Sequence, residues 1–240
     1  LSPSRTGDGG PRTSPWSGST PRIKATVGIE DWRKPRTDTG LIVFVMTKFV
    51  FNKGSYEDET FNTIDQNNAS LAGIEFYSCI FAKSLFQHTV FKGCLFEDCT
   101  FESCNLSLAT IVESKFVGIS FIDSKLTGIN WGGVKGIFTA TFISCILNDN
   151  IFTNRSLVKF LFQDCSLQGA IFGNVNLKHA KFWGCDLEKC QFDNTDLSFA
   201  DFSTSRNYFI DTKANKLHKT KFSLPEAISL LKNLNIILTE

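Results

Sequence analysis

The stretch FEDCTFESCNL, residues 96–106, places Cys99 and Cys104 five residues apart, with Cys94 five residues before them. Structural zinc sites favour CxxC-type spacing completed by further cysteines or histidines. Here every gap is four residues, and His88, His179 and His218 are scattered along the chain, so no metal or cofactor is expected. The interval of five runs far beyond the cysteines. Every fifth residue from Phe61 to Trp131 is large and apolar, with Gln66 the one exception among fifteen. The frame then slips by one. From Phe142 to Phe202 all thirteen such positions fit, and Phe alternates strictly with Leu. Neither a helical nor a strand period produces this pattern. A fixed repeat of this kind predicts a solenoid, whose units bury their apolar face only by stacking.

The residue two before each apolar centre is usually small: Ala69, Ser84, Thr89, Ala109, Ser114 and Ser124 in the first frame, Ala170, Ala180, Thr195 and Ala200 in the second. All eight cysteines fall at this position. A free cysteine packs as a small hydrophobe, so these read as core fillers. A disulfide ladder is the alternative, and it would need an oxidising compartment.

The units CTFES, CNLSL, CSLQG, AIFGN, CDLEK, CQFDN and ADFST resemble the pentapeptide-repeat family over about residues 50 to 222. The resemblance implies an all-β fold, a right-handed, four-sided parallel β-helix with four repeats per coil. The small residue and the Phe or Leu would point inward and the other three outward. Seven to eight coils at about 4.8 Å per layer would make a rod roughly 35 to 40 Å long. Within the family, FEDCTFESCNLSLATIVESKFVGISFIDSKLTGINW, FISCILNDNIF and KFSLPEAISLLKNLNIIL resemble the albicidin-resistance members and, more distantly, the Qnr-type quinolone-resistance members. That likeness implies a DNA-mimicking protein that binds bacterial DNA gyrase and topoisomerase IV and protects them from a poison.

Residues 1–45 are rich in Pro, Gly, Ser and Arg and lack the period. They read as disordered and as sequence upstream of a protein starting at Met46, with a basic natural arm as the alternative. LIVFVMTKFVF is apolar over only 11 residues, too short to span a bilayer, and no small-residue cleavage site follows it. The expected location is therefore cytoplasmic, with no membrane partner. The repeat domain is expected over residues 46–222 and a C-terminal capping and dimerisation segment over 223–240.

The net charge of +1 hides an asymmetry. Residues 46–202 carry 12 Lys and Arg against 17 Asp and Glu. Such a rod does not favour nucleic acid and suits a basic protein partner. Centres 20 residues apart should stack. The face on Tyr56, Phe76, Phe96 and Phe116 then carries Glu57, Asp58, Glu75, Glu97 and Asp98 outward, opposed by Lys115. The face on Leu147, Leu167 and Leu187 carries Asp149, Asp186 and Glu188, with Lys189 among them. Each set reads either as a solvated surface or as a partner-binding stripe.

The slip at WGGVKGIFTAT, residues 131–141, contains Gly132, Gly133, Lys135 and Gly136. It reads as a bulge or short loop leaving the helix over 132–141, a functional loop or a register correction. After Phe202 the repeat weakens and regains its frame at Leu217 and Phe222. Ser223 and Glu226 form an S-x-x-E capping box with Pro225 in the first turn. A helix through about Asn233 would place Leu224, Ile228, Leu231 and Leu234 on one side, followed by a strand at LNIIL that includes Ile236 and Ile237. This segment reads as a cap on the open end. The resemblance adds end-to-end homodimerisation through it.

An enzyme is not expected, because His88 and His179 fall outward and every cysteine inward, leaving no convergent catalytic set. The leading reading is a binding protein that protects a type II topoisomerase. The alternative is a repeat scaffold with an unrelated partner. Drug sequestration fits less well, since Phe and Leu fill the interior.

Overall fold

The computed structural model describes residues 46–234 and Ile236. The expectations for residues 1–45 and for Ile237 lie outside the described residues. Within them the chain is a parallel β-solenoid with four columns of rungs. Each repeat extends about three residues with the middle one inward, as in Thr100–Glu102, where Phe101 is buried. The next residue turns the corner in the left-handed region, as Ser103 does at φ 53°. Asn, Asp and Gly occupy many of these corners, including Asn154, Asn174, Asp164 and Gly184. They tolerate a conformation that costs other residues roughly 1–2 kcal/mol. Corner N–H groups are paired: Asp98 N donates to Val117 O at 2.9 Å and Asn154 N to Gly173 O at 3.0 Å.

The second face runs in register through Phe61, Phe81, Phe101, Phe121, Phe142, Phe162, Phe182, Phe202 and Phe222, nine rungs. The expected seven to eight coils fall short by one, because the steps of about twenty residues from Phe61 to Phe222 are bounded by a rung at each end. Tyr56, Phe76, Phe96 and Phe116 stack on the first face. A column of bridges from Asp65 to Arg206 marks the third. Leu71, Phe91 and Ile111, then Phe152, Phe172 and Phe192, build the fourth.

The Phe–Leu alternation after Phe142 has a structural meaning. Phe centres lie in three-residue strands such as Leu161–Gln163 and Ile171–Gly173. Leu centres lie in tight turns closed by their own carbonyls: Leu167 O accepts from Ala170 N at 2.9 Å and Leu177 O from Ala180 N at 3.0 Å. Phenylalanines thus face each other across the core. Phe162 stacks on Phe182 at 4.8 Å and meets Phe172 edge-on at 6.3 Å and 84°, the geometries that aromatic quadrupoles favour.

The frame slip is absorbed inside a strand. Trp131–Gly133 forms a 3₁₀ turn, and Val134–Ile143 then pairs with Ser114–Ile122 with register shifts on either side of Phe116. The segment is a bulge within the sheet and does not leave it as a loop. The buried ring is Phe138, while Ile137 is 73% exposed. A Cβ on Gly133 would sit 1.9 Å from Ile111 O, so only glycine fits. After the slip the first face changes from strands to turns, at Leu157, Leu177 and Leu197.

Both ends are covered. Gln66, the polar exception among the centres, is buried, and its Nε2 donates to Phe49 O at 2.5 Å. Phe49 and Phe51 lie over Phe61. At the other end Tyr208 and Ile210 are buried and Tyr208 packs on Phe222.

Phe142 lies between Phe121 at 5.1 Å and 6° and Phe162 at 5.2 Å and 2°. Phe142→Ala removes the ring from a stack that cannot close up without breaking its rungs. It should cost about 3–5 kcal/mol, read as a lower urea midpoint at unchanged slope.

Candidate functional site

The first face brings Glu57, Asp58, Glu75, Glu97 and Asp98 together as expected. Glu75 lies in register between Ser55 and Leu95, and Glu57, Tyr77 and Glu97 form the next row. Asp58 and Asp98 sit at the corner beyond, and all five are exposed. Lys115 ends the row of Glu75. Tyr77 Oη donates to Glu75 Oε2 at 3.0 Å. The bond to that carboxylate pushes the phenol pKa up, and the charges of Glu97 and Glu57 add to it. The ion pairs found among the described residues involve none of the five acids.

The third face differs. Asp186 pairs with Arg206 at 3.2 Å and accepts from Asn207 Nδ2 at 2.9 Å and Gln168 Nε2 at 3.3 Å. Burial alone would raise its pKa, but these hydrogen bonds, the Glu188 amide and the Arg206 charge together hold it below the usual carboxylate range. Glu188 pairs with Lys189 at 3.4 Å. Asp149 turns the corner at φ 58°. This group is neutralised by its neighbours, chiefly by a cation from the following coil.

The bulge is held by Arg155, which the sequence reading missed. Its guanidinium donates to Gly132 O at 2.7 Å, to Gly136 O at 3.4 Å and to Val134 O. Lys135 pairs with Glu113 at 3.1 Å. Arg155 occupies a position where the repeat wants a small residue, and Asn150 and Phe160 do the same on either side. Asn150 accepts from Trp131 Nε1 at 2.7 Å and donates to Leu126 O at 2.8 Å. Phe160 packs on Phe138 at 5.2 Å. Three oversized residues in consecutive small slots were the available signal.

In the tail, Glu226–Leu234 is a 3₁₀ helix. The capping box does not form as read, because Glu226 Oε2 accepts instead from Asn207 N at 3.0 Å. In a 3₁₀ helix residues three apart share a face, which puts Ile228 and Leu231 in line, while the expectation for the Leu234 side chain lies outside what is described. Leu224, Ile228, Leu231 and Ile236 are exposed.

All eight cysteines are free and buried. Their slot is more than a space filler. Cys99 Sγ donates to Phe76 O at 3.4 Å and Cys104 Sγ to Phe81 O at 3.2 Å, the carbonyl of the centre one rung below. Ser114 and Thr89 use their hydroxyls identically, at 3.0 Å to Phe91 O and 2.7 Å to Gln66 O. Burial pushes the Cys99 and Cys104 thiols up to about 12. Among the described residues no group of three or more His, Cys, Asp or Glu is placed to hold a metal, and no helix is long and apolar enough to cross a membrane.

The family model for pentapeptide repeats matches residues 152–184 and 170–206. No curated protein matches the chain. Similar solved structures include a trypsin-treated variant of QnrB1, a plasmid-mediated fluoroquinolone resistance protein, at 22% identity over 81% of this chain and 95% of that one, TM-score 0.45. Full-length QnrB1 follows at 23% over 76% and 90%, TM-score 0.38. HetL from the cyanobacterium Nostoc sp. strain PCC 7120 is 17% identical over 72% and 90%, TM-score 0.32. Residues 152–206 thus match the pentapeptide-repeat family model, and the same period of five runs through the four columns of rungs on either side of them.

The buried thiols set two expectations. A thiol reagent at pH 8 should label no cysteine in the native protein and all eight in denaturant. Because the folded thiol pKa is raised above its unfolded value of about 8.5, the thiols' contribution is fully present below that pH. It is lost as pH climbs towards the folded value of about 12 for Cys99 and Cys104. Fast labelling of the folded state would contradict this placement.

Proposed function

We propose that the first face is a binding surface for a basic protein site that otherwise receives duplex DNA, as the DNA gate of a bacterial type II topoisomerase does. The observation that carries the proposal is the set of five exposed carboxylates on three consecutive rungs, none of them in the ion pairs found among the described residues. At about 4.8 Å per rung this is roughly one negative charge per 3 Å, against about one per 1.7 Å along duplex DNA. A rigid row of such density competes for a phosphate-binding surface. The resemblance of the quoted stretches to albicidin- and quinolone-resistance members supports gyrase and topoisomerase IV as the partners. A bound competitor would dismantle or prevent the cleaved complex that a poison stabilises. The reading needs no covalent chemistry, no cofactor and no direct contact with nucleic acid.

The second acidic group contributes less under this proposal, because Asp186 and Glu188 are already paired. The exposed apolar row of Leu224, Ile228 and Leu231 is proposed as the contact between two copies, tail to tail, with Leu234 and Ile236 extending it. A homodimer would present two acidic faces to a two-fold symmetric enzyme. Eight unpaired thiols suit a reducing compartment such as the cytoplasm.

Reversing Glu75, Glu97 and Asp98 together to Lys changes only exposed positions, so the circular dichroism should stay unchanged. Binding to immobilised gyrase should weaken at least tenfold, and the difference from the unaltered protein should shrink at high salt, because exposed charges are screened beyond about 8 Å at physiological ionic strength. A folded triple variant that binds as tightly as the unaltered protein would remove this face from the mechanism and favour an unrelated partner.

A further inference from the structure

The edge where the first face meets the second changes sign along the rod. Its residues follow one another rung by rung, each N–H bonded to the next rung. Asp58 N donates to Tyr77 O at 3.0 Å and Asp98 N to Val117 O at 2.9 Å near the N-terminal end. Lys159 N donates to Lys178 O at 2.9 Å, His179 N to Ser198 O at 3.1 Å and Phe199 N to His218 O at 2.8 Å near the C-terminal end. Gly118 N donates to Thr139 Oγ1 at 2.7 Å, which sets Thr139 on the middle rung. The edge therefore reads Asp58, Ser78, Asp98, Gly118, Thr139, Lys159, His179, Phe199, Lys219. One end is acidic and the other is cationic and aromatic.

We infer that this edge is self-complementary and pairs with the same edge of a second copy, antiparallel, about a two-fold axis at the middle rung. Such an axis sets Asp58 against Lys219 and Asp98 against His179. In the adjoining row of the first face it sets Glu57 against His218, Val117 against Val158, and Glu97 against Lys178, which also pairs with Asp196 of its own copy at 3.3 Å. At the axis itself Thr139 would meet its own copy, while the exposed Ile137 precedes the buried Phe138 and lies in the row of Glu75 and Lys115, away from this edge. Val117 and Val158 thus lie near the centre, with Asp58 facing Lys219 and Glu97 facing Lys178 on the wings, the self-matching arrangement that a two-fold interface requires. The inference rests on charge and rung position, not on the topoisomerase reading, although the two surfaces share acids.

A single-stranded nucleic acid fits the cationic end less well. Base stacking needs a free aromatic face, and Phe199 is already stacked on His179 at 4.8 Å and 6° and met edge-on by His218 at 5.3 Å.

The test uses the full chain carrying Leu231→Asp, so that tail pairing does not mask the edge, and no topoisomerase is present. With the edge unaltered, light scattering should report a dimer at about 0.02 M salt and a monomer at about 0.5 M, where screening falls within about 4 Å. Asp58→Lys with Asp98→Lys makes the edge cationic at both ends. Lys159→Glu with Lys219→Glu makes it acidic at both ends. Each protein alone should be monomeric at low salt, and an equimolar mixture should form a heterodimer, which also shows that both are folded. The inference is overturned if the unaltered edge stays monomeric at low salt, if either charge variant dimerises alone, or if the mixture fails to associate. A monomer that binds a labelled single-stranded oligonucleotide through the cationic end would overturn it in favour of nucleic acid.

Discussion

Every ring of the second face, from Phe61 to Phe222, lies on the ring of the next rung, and that contact sets the spacing of everything outside. Phe142 on Phe162, Phe152 on Phe172 and Phe182 on Phe202 stack at 5.2, 5.0 and 4.6 Å with tilts of a few degrees. The small slot repeats the same rule with a hydrogen bond in place of a ring. A thiol or hydroxyl donates to the carbonyl of the centre below, as Cys99 does to Phe76 and Thr195 to Phe172. Aromatic pairs are worth about 0.5–1.5 kcal/mol beyond burial, and a buried carbonyl left unpaired costs about 1–3 kcal/mol. Interior positions are therefore tightly held, while outward positions are free to vary at fixed intervals.

That division explains why a protein of this kind suits surface mimicry. Outward residues form straight rows whose pitch is set by the backbone. Glu57, Tyr77 and Glu97 lie in consecutive register, and a charge placed in such a row is held by a rigid sheet. An acidic row requires only substitutions that leave the core untouched. The same geometry lets one edge carry opposite charges at its two ends.

The rungs were legible in the sequence because a period of five survives any single exception. Gln66 broke the pattern and proved to anchor the segment that covers the first coil, through Phe49 O. The first acidic face was legible too, since counting by twenty places residues on a face without side-chain detail. On the third face the acids fall where counting puts them, but counting by face ignores the next coil, and Arg206 arrives from there to pair with Asp186. The alternation of Phe and Leu was visible, but its link to strand and turn was not, because both residues are equally buried. At the slip, Gly133 and Gly136 signalled an unusual backbone. The residue that holds it, Arg155, lay nineteen and more residues further on. The tail's apolar spacing was read as α-helical, and spacings of three serve a 3₁₀ helix equally well.

The central functional claim is that a rigid acidic row shields a DNA-handling enzyme from a poison. The most direct measurement is gyrase supercoiling held at partial inhibition by albicidin, and separately by a quinolone, while the purified protein is titrated in. Restoration of supercoiling in at least one of the two reactions, rising with protein concentration below the level at which the protein itself inhibits the enzyme, is the predicted result. No restoration at any concentration with either poison, together with no detectable binding to gyrase or topoisomerase IV, would contradict it.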